Sequence, residues 1–254
     1  MKNSTLVSII IPAYNCESYI EETLDSILQQ TYTDWEAIII NDSSTDNTLK
    51  IINEYINKDH RFKVIDLVTN QGAAKARNAG IKLSTGRFLA FLDSDDTWEV
   101  KKLESQIKFM LDNEYSFSST SYKKIDENGT DLNKVIKVKF QKDYKDLLKN
   151  CPGNSTVMID LNKVEKVYGY DLKKRNDYVL WLKVIKKVKN LYGLDEVLAS
   201  HRIRDNSISS NKFSLLKYHW YIYLNIEKLS FFKSLLLMIY WILKSTKVIR
   251  VKMN

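Results

Sequence analysis

Asp93, Ser94, Asp95 and Asp96 follow one another directly in the chain. Asp93 and Asp95, one residue apart, can converge on a single point with Ser94 turned aside. Hard oxygen ligands of this kind suit Mg²⁺ or Mn²⁺. A third carboxylate, Asp96, makes the cluster electrostatically costly in a closed cleft without a cation. The alternative is an acidic surface turn, since Asp and Ser are common turn residues.

The surrounding elements read as an alternating α/β pattern with a parallel sheet. Residues 7–11 are a buried strand by composition, ended by Pro12. Ile20, Leu24, Ile27 and Leu28 fall on one stripe of a helix, with Asn15 as its expected cap. A second strand spans 35–40. Leu49, Ile52 and Ile56 mark a second helix, with Ser43 and Asp46 at capping-box-like spacing. A third strand at 62–67, a small-residue helix at 73–83 and a fourth strand at 87–92 follow. That fourth strand delivers the chain to Asp93, as the second delivers it to Asp42. Ligands of open α/β sheets bind beyond the carboxyl ends of the strands, so both aspartates are candidate site residues. Leu103, Ile107, Met110 and Leu111 resume the helical period. The pattern then weakens into short strands and a helix, until residues 177–189 read as helix and 197–203 as extended.

Length and composition fit one sizeable catalytic domain: 254 residues, 44% hydrophobic and 28% charged, with two Pro and seven Gly. Cys16 and Cys151 are too few and too far apart for a disulfide scaffold or a zinc cluster, and are expected as reduced thiols of a cytoplasmic protein. The polar start and short apolar run fit no secretory signal. The net charge of +8 is concentrated: residues 212–254 hold eight basic side chains against one acid, Glu227. A nucleic-acid binder spreads its basic groups over a groove-facing surface. Here they sit among Leu and aromatic residues, which favours an anionic membrane surface and no nucleic acid. The longest apolar run, residues 235–243, is far short of the roughly 20 needed to span a bilayer. Lys233 and Lys244 share a helical face, and Trp220, Tyr240 and Trp241 are rings suited to headgroup level. The tail therefore reads as peripheral on the cytoplasmic face of the inner membrane. A helical hairpin packed on the catalytic domain, or on a second copy in a homodimer, is the other reading.

Four ordered blocks add specificity: Val7 to Asn15 (VSIIIPAYN), Ile40 to Thr48 (INDSSTDNT), Asn70 to Gly80 (NQGAAKARNAG) and Phe91 to Trp98 (FLDSDDTW). Together they resemble the family 2 glycosyltransferases, whose catalytic domain has the nucleotide-diphospho-sugar transferase fold called GT-A. The resemblance implies a GT-A domain over residues 1–211, followed by a basic, aromatic helical tail over 212–254. It also implies roles. Pro12, Ala13 and Tyr14 would wall a uracil base, and Asp42 would accept a hydrogen bond from it. Asn70, Gly72 and Arg77 would lie beside the ribose and diphosphate, with Asp93 and Ser94 facing the ribose or donor sugar. Asp95 would be the principal ligand of Mn²⁺ or Mg²⁺, joined by Asp93.

Two later blocks resemble the family's acceptor half. In Arg175 to Lys183 (RNDYVLWLK), Asn176 replaces the first residue of the usual Glu-Asp pair, and Asp177 remains as the expected general base. Ser200 to Ser207 (SHRIRDNS) resembles the loop that closes the nucleotide site, with Arg204 at the usual His position. Arg202 or Arg204 could contact the diphosphate, and His201 could supply a metal nitrogen. The block of the processive polysaccharide synthases is absent. The resemblance therefore implies an inverting transfer of one sugar from a UDP-sugar, with glucose or galactose as first expectation. The acceptor would be a lipid-linked saccharide of bacterial O-antigen, capsule or lipopolysaccharide synthesis. A nucleotidyltransferase would need a Gly-rich phosphate loop after the first strand, where Pro12-Ala13-Tyr14-Asn15 stands instead. A non-catalytic nucleotide-sugar binder would keep Asp42 and Asp95 without turning over the donor.

Overall fold

The computed structural model describes residues 5–204 and 212–252, the side chains of 212–214 and 245–252 excepted. Its first half is built as the periodicity implies: β1 (Val7–Ala13), α1 (Ile20–Leu28), β2 (Trp35–Asn41), α2 (Thr48–Lys58), β3 (Phe62–Asp66), α3 (Ala73–Leu83) and β4 (Phe88–Phe91). These four strands pair in parallel in the order β3-β2-β1-β4. Successive side chains of a strand point to opposite faces, so β1 feeds two cores. Ile10 packs with Ile38, Ile40 and Phe91 on one face, and Val7, Ile9 and Ile11 with Trp35, Ala37 and Ile39 on the other. Helix α3 lies close on the sheet because Gly80 has no side chain. A Cβ there would come within 2.7 Å of Ile10 and Ile40.

The second half mixes directions. It runs β5 (Thr97–Trp98), α4 (Lys102–Asp112), β6 (Phe117–Ile125), β7 (Asp131–Ile136), β8 (Gln141–Lys142), α5 (Tyr144–Lys149), a 3₁₀ turn (Asn154–Thr156), β9 (Met158–Asp160), α6 (Asn176–Val188) and β10 (Leu191–Arg202). Strand β9 joins the halves, antiparallel to both β4 and β6, and β6 runs parallel to β10. Trp181 of α6 is fully buried, edge-on to Phe91 at 4.9 Å and beside Phe117 at 6.0 Å. This packing fixes the start of α6 against the end of β4.

Two local expectations are corrected. Asn15 does not cap α1, which starts after Tyr19 without a side-chain cap. Its backbone is instead left-handed (φ 44°), and its side chain accepts from the Thr45 N–H at 2.8 Å, tying the loop after β1 to the loop after β2. Ser43 is likewise left-handed (φ 61°) and forms no capping box. Asp46 accepts from the N–H groups of Thr48 and Glu17 at 3.0 and 3.1 Å.

The tail packs on the domain, as one of the two readings of its sequence has it. Helix α7 (Lys212–Tyr221), a π-helical turn (Ile222–Ile226) and α8 (Phe231–Lys252) follow residue 211. Ile222, Tyr223, Leu237 and Met238 are buried in the same core as Trp181 and Leu148. The Tyr223 hydroxyl donates to the Leu148 carbonyl at 2.8 Å, and Glu227 pairs with Lys186 at 2.5 Å and accepts from the Tyr144 hydroxyl. The opposite face of α8, with Phe232, Leu236 and Leu243, is exposed. Among the described residues no helix is long and apolar enough to cross a membrane.

Candidate active site

A cavity of about 950 Å³ opens at the carboxyl ends of β1, β2 and β4, and every site residue singled out in the sequence lines it. That volume suits a nucleotide sugar, being near the top of the usual ligand-pocket range. Pro12 and Ala13 end β1, and Tyr14 beyond them is 50% exposed over the opening. Asp42 is buried just past β2, where both its oxygens accept from backbone, Gln71 N–H and Gly72 N–H at 2.7 Å each. This pair holds the loop from Asn70 into α3 against the sheet. Gly72 permits the turn, with φ 86° and open space where a side chain would be.

The acidic turn divides by role. Asp96 is buried and fully compensated by the chain: it accepts from the Arg202 N–H at 3.0 Å and the Ser155 hydroxyl at 2.5 Å, with His201 Nδ1 at 3.1 Å. Its charge therefore needs no cation. The attraction of Asp96 raises His201 to about 9, against the opposing effect of burial. His201 thus pairs with Asp96 through Nδ1.

Asp93 and Asp95 remain turned to the cavity. Asp93 accepts from Asn154 Nδ2 at 2.7 Å and lies 3.4 Å from Arg77. Burial pushes it up to about 7 despite Arg77, and Asp96, Asp95 and Asp177 push the same way. Asp95 pairs with Arg204 at 2.6 Å, yet burial and then Asp96 still raise it.

The two arginines of the closing loop separate clearly. Arg202 is 3% exposed, and its guanidinium donates to the carbonyls of Asp95, Asp126 and Glu127 while pairing with Glu22. It braces the acidic turn from behind, with each of its three guanidinium nitrogens already engaged. Arg204 is half-exposed and pairs with Asp95. Residues Asp205, Asn206 and Ser207 of that block lie outside the described residues.

Across the cavity, Asp177 stands in the first turn of α6, half-buried, with the Cys151 thiol 4.0 Å from its carboxylate. Burial, and then the nearby Asp177, push Cys151 well up, so it stays a neutral thiol. Asn176, where the family pattern has Glu, accepts from Arg77, and Arg77 in turn reaches Asp93. A buried chain of contacts thus links the acceptor side to the donor side. Asn154, Ser155 and Cys151 were not visible as site residues in the sequence. They belong to a short irregular stretch with no periodicity, and only their distant partners reveal them.

Residues 8–164 match the family model described as Glycosyl transferase family 2. The chain belongs to that family. It is 43% identical over 230 residues to TuaG of Bacillus subtilis (strain 168), assigned by name to teichuronic acid biosynthesis as a glycosyltransferase, covering 90% of this chain and 91% of the relative. It is 40% identical over 218 residues to WfgD of Escherichia coli, named UDP-Glc:alpha-D-GlcNAc-diphosphoundecaprenol beta-1,3-glucosyltransferase, covering 85% and 84% of the two chains. Its fold is similar to the crystal structure of S. aureus TarS 1–349 in complex with UDP-GlcNAc, with TM-score 0.71, 24% identity, and coverage of 86% of this chain and 66% of that one. This family 2 enzyme is a glycosyltransferase with the GT-A architecture.

Whether its residues suit a divalent cation can be tested on the donor set. Among the described residues no three His, Cys, Asp or Glu side chains form a metal cage. Magnesium-type sites do not need one, because one or two carboxylates combine with substrate phosphates and water. Asp95 and Asp93 fit that pattern: two carboxylates facing a cavity, both raised by burial with Asp96 adding to each, effects that a cation would offset.

Proposed function

We propose that this family 2 enzyme moves one glucose or galactose from a UDP-sugar to a hydroxyl of a lipid-linked saccharide in bacterial surface polysaccharide synthesis, with inversion at the anomeric carbon. The observation that carries the reading is that Asp177 and the Asp93–Asp95 pair line a single cavity. The name of WfgD, which pairs a UDP-glucose donor with a β-linked product on a diphosphoundecaprenol acceptor, supports the donor, the inversion and the acceptor class.

In this reading Pro12, Ala13 and Tyr14 hold the base, and Asp42 accepts its N–H with the lone pairs not used by Gln71 and Gly72. Arg204 lies beside Asp95 and contacts the diphosphate. Asp177 takes the proton of the acceptor hydroxyl as the new bond to the anomeric carbon forms, the bond to UDP breaks on the opposite side, and the proton passes on to solvent. A Mn²⁺ or Mg²⁺ held by Asp95 and Asp93 with the donor diphosphate would neutralise charge on the leaving group. The exposed apolar face of α8, flanked by Lys233 and Lys244, would rest on the cytoplasmic membrane surface where such acceptors reside.

The test is product analysis. With UDP-glucose, UDP-galactose and a GlcNAc-diphospho-lipid acceptor, one donor should give a β-linked disaccharide that requires added divalent metal. An α-linked product, or turnover undiminished by chelator, would overturn the mechanism.

A further inference from the structure

Four cations have no ion-pair partner among the described residues: Arg175, which lines the cavity, Lys142 of β8, Lys149 of α5 and Lys244 of α8. Arg175 immediately precedes α6 in the left-handed conformation (φ 62°), lines the cavity beside Asp177, and has a buried Nε without a hydrogen-bond partner. Its guanidinium lies 5.9 Å from the Trp241 ring of α8, and the Lys149 ammonium lies 5.8 Å from the ring of Tyr240. Lys244 is on the same helix. Burial and then Arg175 hold its ammonium below the ordinary range; burial also lowers Lys142, with Cys151 and Asp146 pulling it up and Lys244 and Lys139 down. Cations gathered in this way repel one another unless an anion joins them.

We propose that Arg175, Lys142, Lys149 and Lys244 form an anion subsite that binds the diphosphate joining the acceptor sugar to its lipid. The inference rests on the lipid-linked acceptor of the proposed function and adds the place where that acceptor is held. Its support is the order of parts in space. Asp177, which faces the acceptor hydroxyl, lies within the cavity. Arg175 and Lys149 lie beside Trp241 and Tyr240 of α8, the helix that also exposes the apolar residues Phe232, Leu236 and Leu243. Sugar, diphosphate and hydrocarbon follow one another in the same order along a lipid-linked saccharide. A guanidinium and three flexible ammonium groups also match a diphosphate better than a neutral headgroup does.

The experiment titrates farnesyl diphosphate, a prenyl diphosphate without sugar, into enzyme saturated with UDP and Mg²⁺, so that the donor site is filled. Arg175→Asn keeps a residue that tolerates the left-handed backbone, and a Lys142→Ala/Lys244→Ala double variant tests the ammonium groups. Each should weaken farnesyl diphosphate by about tenfold or more, the scale of one lost charged contact, while UDP affinity stays within about twofold. Retained UDP affinity also shows that the variants fold, and loss of UDP binding by the wild type would count against the proposed function itself. Equal binding of farnesol and farnesyl diphosphate, or variants that bind the diphosphate like the wild type, would overturn the subsite. A third arm uses vesicles of anionic phospholipid. Their binding should be nearly unchanged by Arg175→Asn. If that variant instead loses the vesicles and keeps farnesyl diphosphate, the cluster reads phospholipid headgroups and the proposal fails.

Discussion

The two halves of the cavity are made differently. On the donor side, functional groups hang from the ends of parallel strands, and Asp42 is held by the backbone N–H groups of Gln71 and Gly72. On the acceptor side, Asp177, Cys151, Asn154 and Arg175 come from a helix start and irregular loops, and are fixed by partners far away in sequence, such as Arg77 with Asn176 and Tyr223 with Leu148. A regular sheet presents a rigid, repeatable face for a nucleotide. The looser half leaves room for acceptors to differ without disturbing it.

That division is broken most severely at Asp95. Asp95→Ala should lower turnover on the order of 10³ or more, because it removes the charged ligand facing the diphosphate. UDP binding should lose its dependence on Mn²⁺, and UDP release and calorimetry measure the two. A variant with undiminished, metal-dependent turnover would refute the metal role.

The arginines sharpen the comparison next. Arg202→Ala should cost about 3 kcal/mol of stability in urea unfolding, since three carbonyls and Glu22 lose a buried partner. Arg204→Ala should leave stability within about 0.5 kcal/mol and raise the donor KM roughly tenfold. The opposite pattern would exchange their roles.

Glu36 tests the scaffold under the donor side. Burial would raise its carboxyl, but hydrogen bonds from Lys63, Ser8 and Thr85 outweigh that and lower it from 4.5 to about 2. A lowered carboxyl stabilises the fold above its unfolded value and loses that contribution as pH falls through the folded one. Glu36→Gln should therefore cost about 2 kcal/mol at neutral pH, allowing for the exposed Lys63, and flatten the acid limb between pH 4.5 and 2. An unchanged acid limb would remove Glu36 from the account.

The smallest effect on stability is expected on the outer face of α8. Leu236→Glu, at a side chain 68% exposed, should stay within about 0.5 kcal/mol in unfolding yet weaken binding to anionic vesicles severalfold. Deleting residues 212–254 is a poorer test, because it strips Ile222, Tyr223, Leu237 and Met238 from the core.

The same contrast explains what could be read in advance. From β1 to β4 the apolar pattern matches each element, because β1, β2 and β4 are short continuous buried runs and the helices each bury one stripe. The loops between them are not legible locally: Asn15 and Thr45 stand 30 residues apart and bond to each other, which no local capping rule anticipates. Strand β6 was hidden because Ser118, Ser119, Thr120 and Ser121 put four buried hydroxyls where a core strand usually carries hydrocarbon. The tail was ambiguous for another reason. Helix α8 is apolar on both faces, and only the packed structure tells the buried Leu237 from the exposed Leu236.

The central claim is that one side of the cavity binds the donor while Asp177 on the other activates the acceptor. Asp177→Asn, followed by calorimetry with UDP and by steady-state transfer on the same preparation, tests it most directly. The account predicts UDP affinity within about threefold of wild type and turnover lower by on the order of 10² or more. Unchanged turnover, or a loss of UDP affinity as large as the loss of turnover, would contradict it.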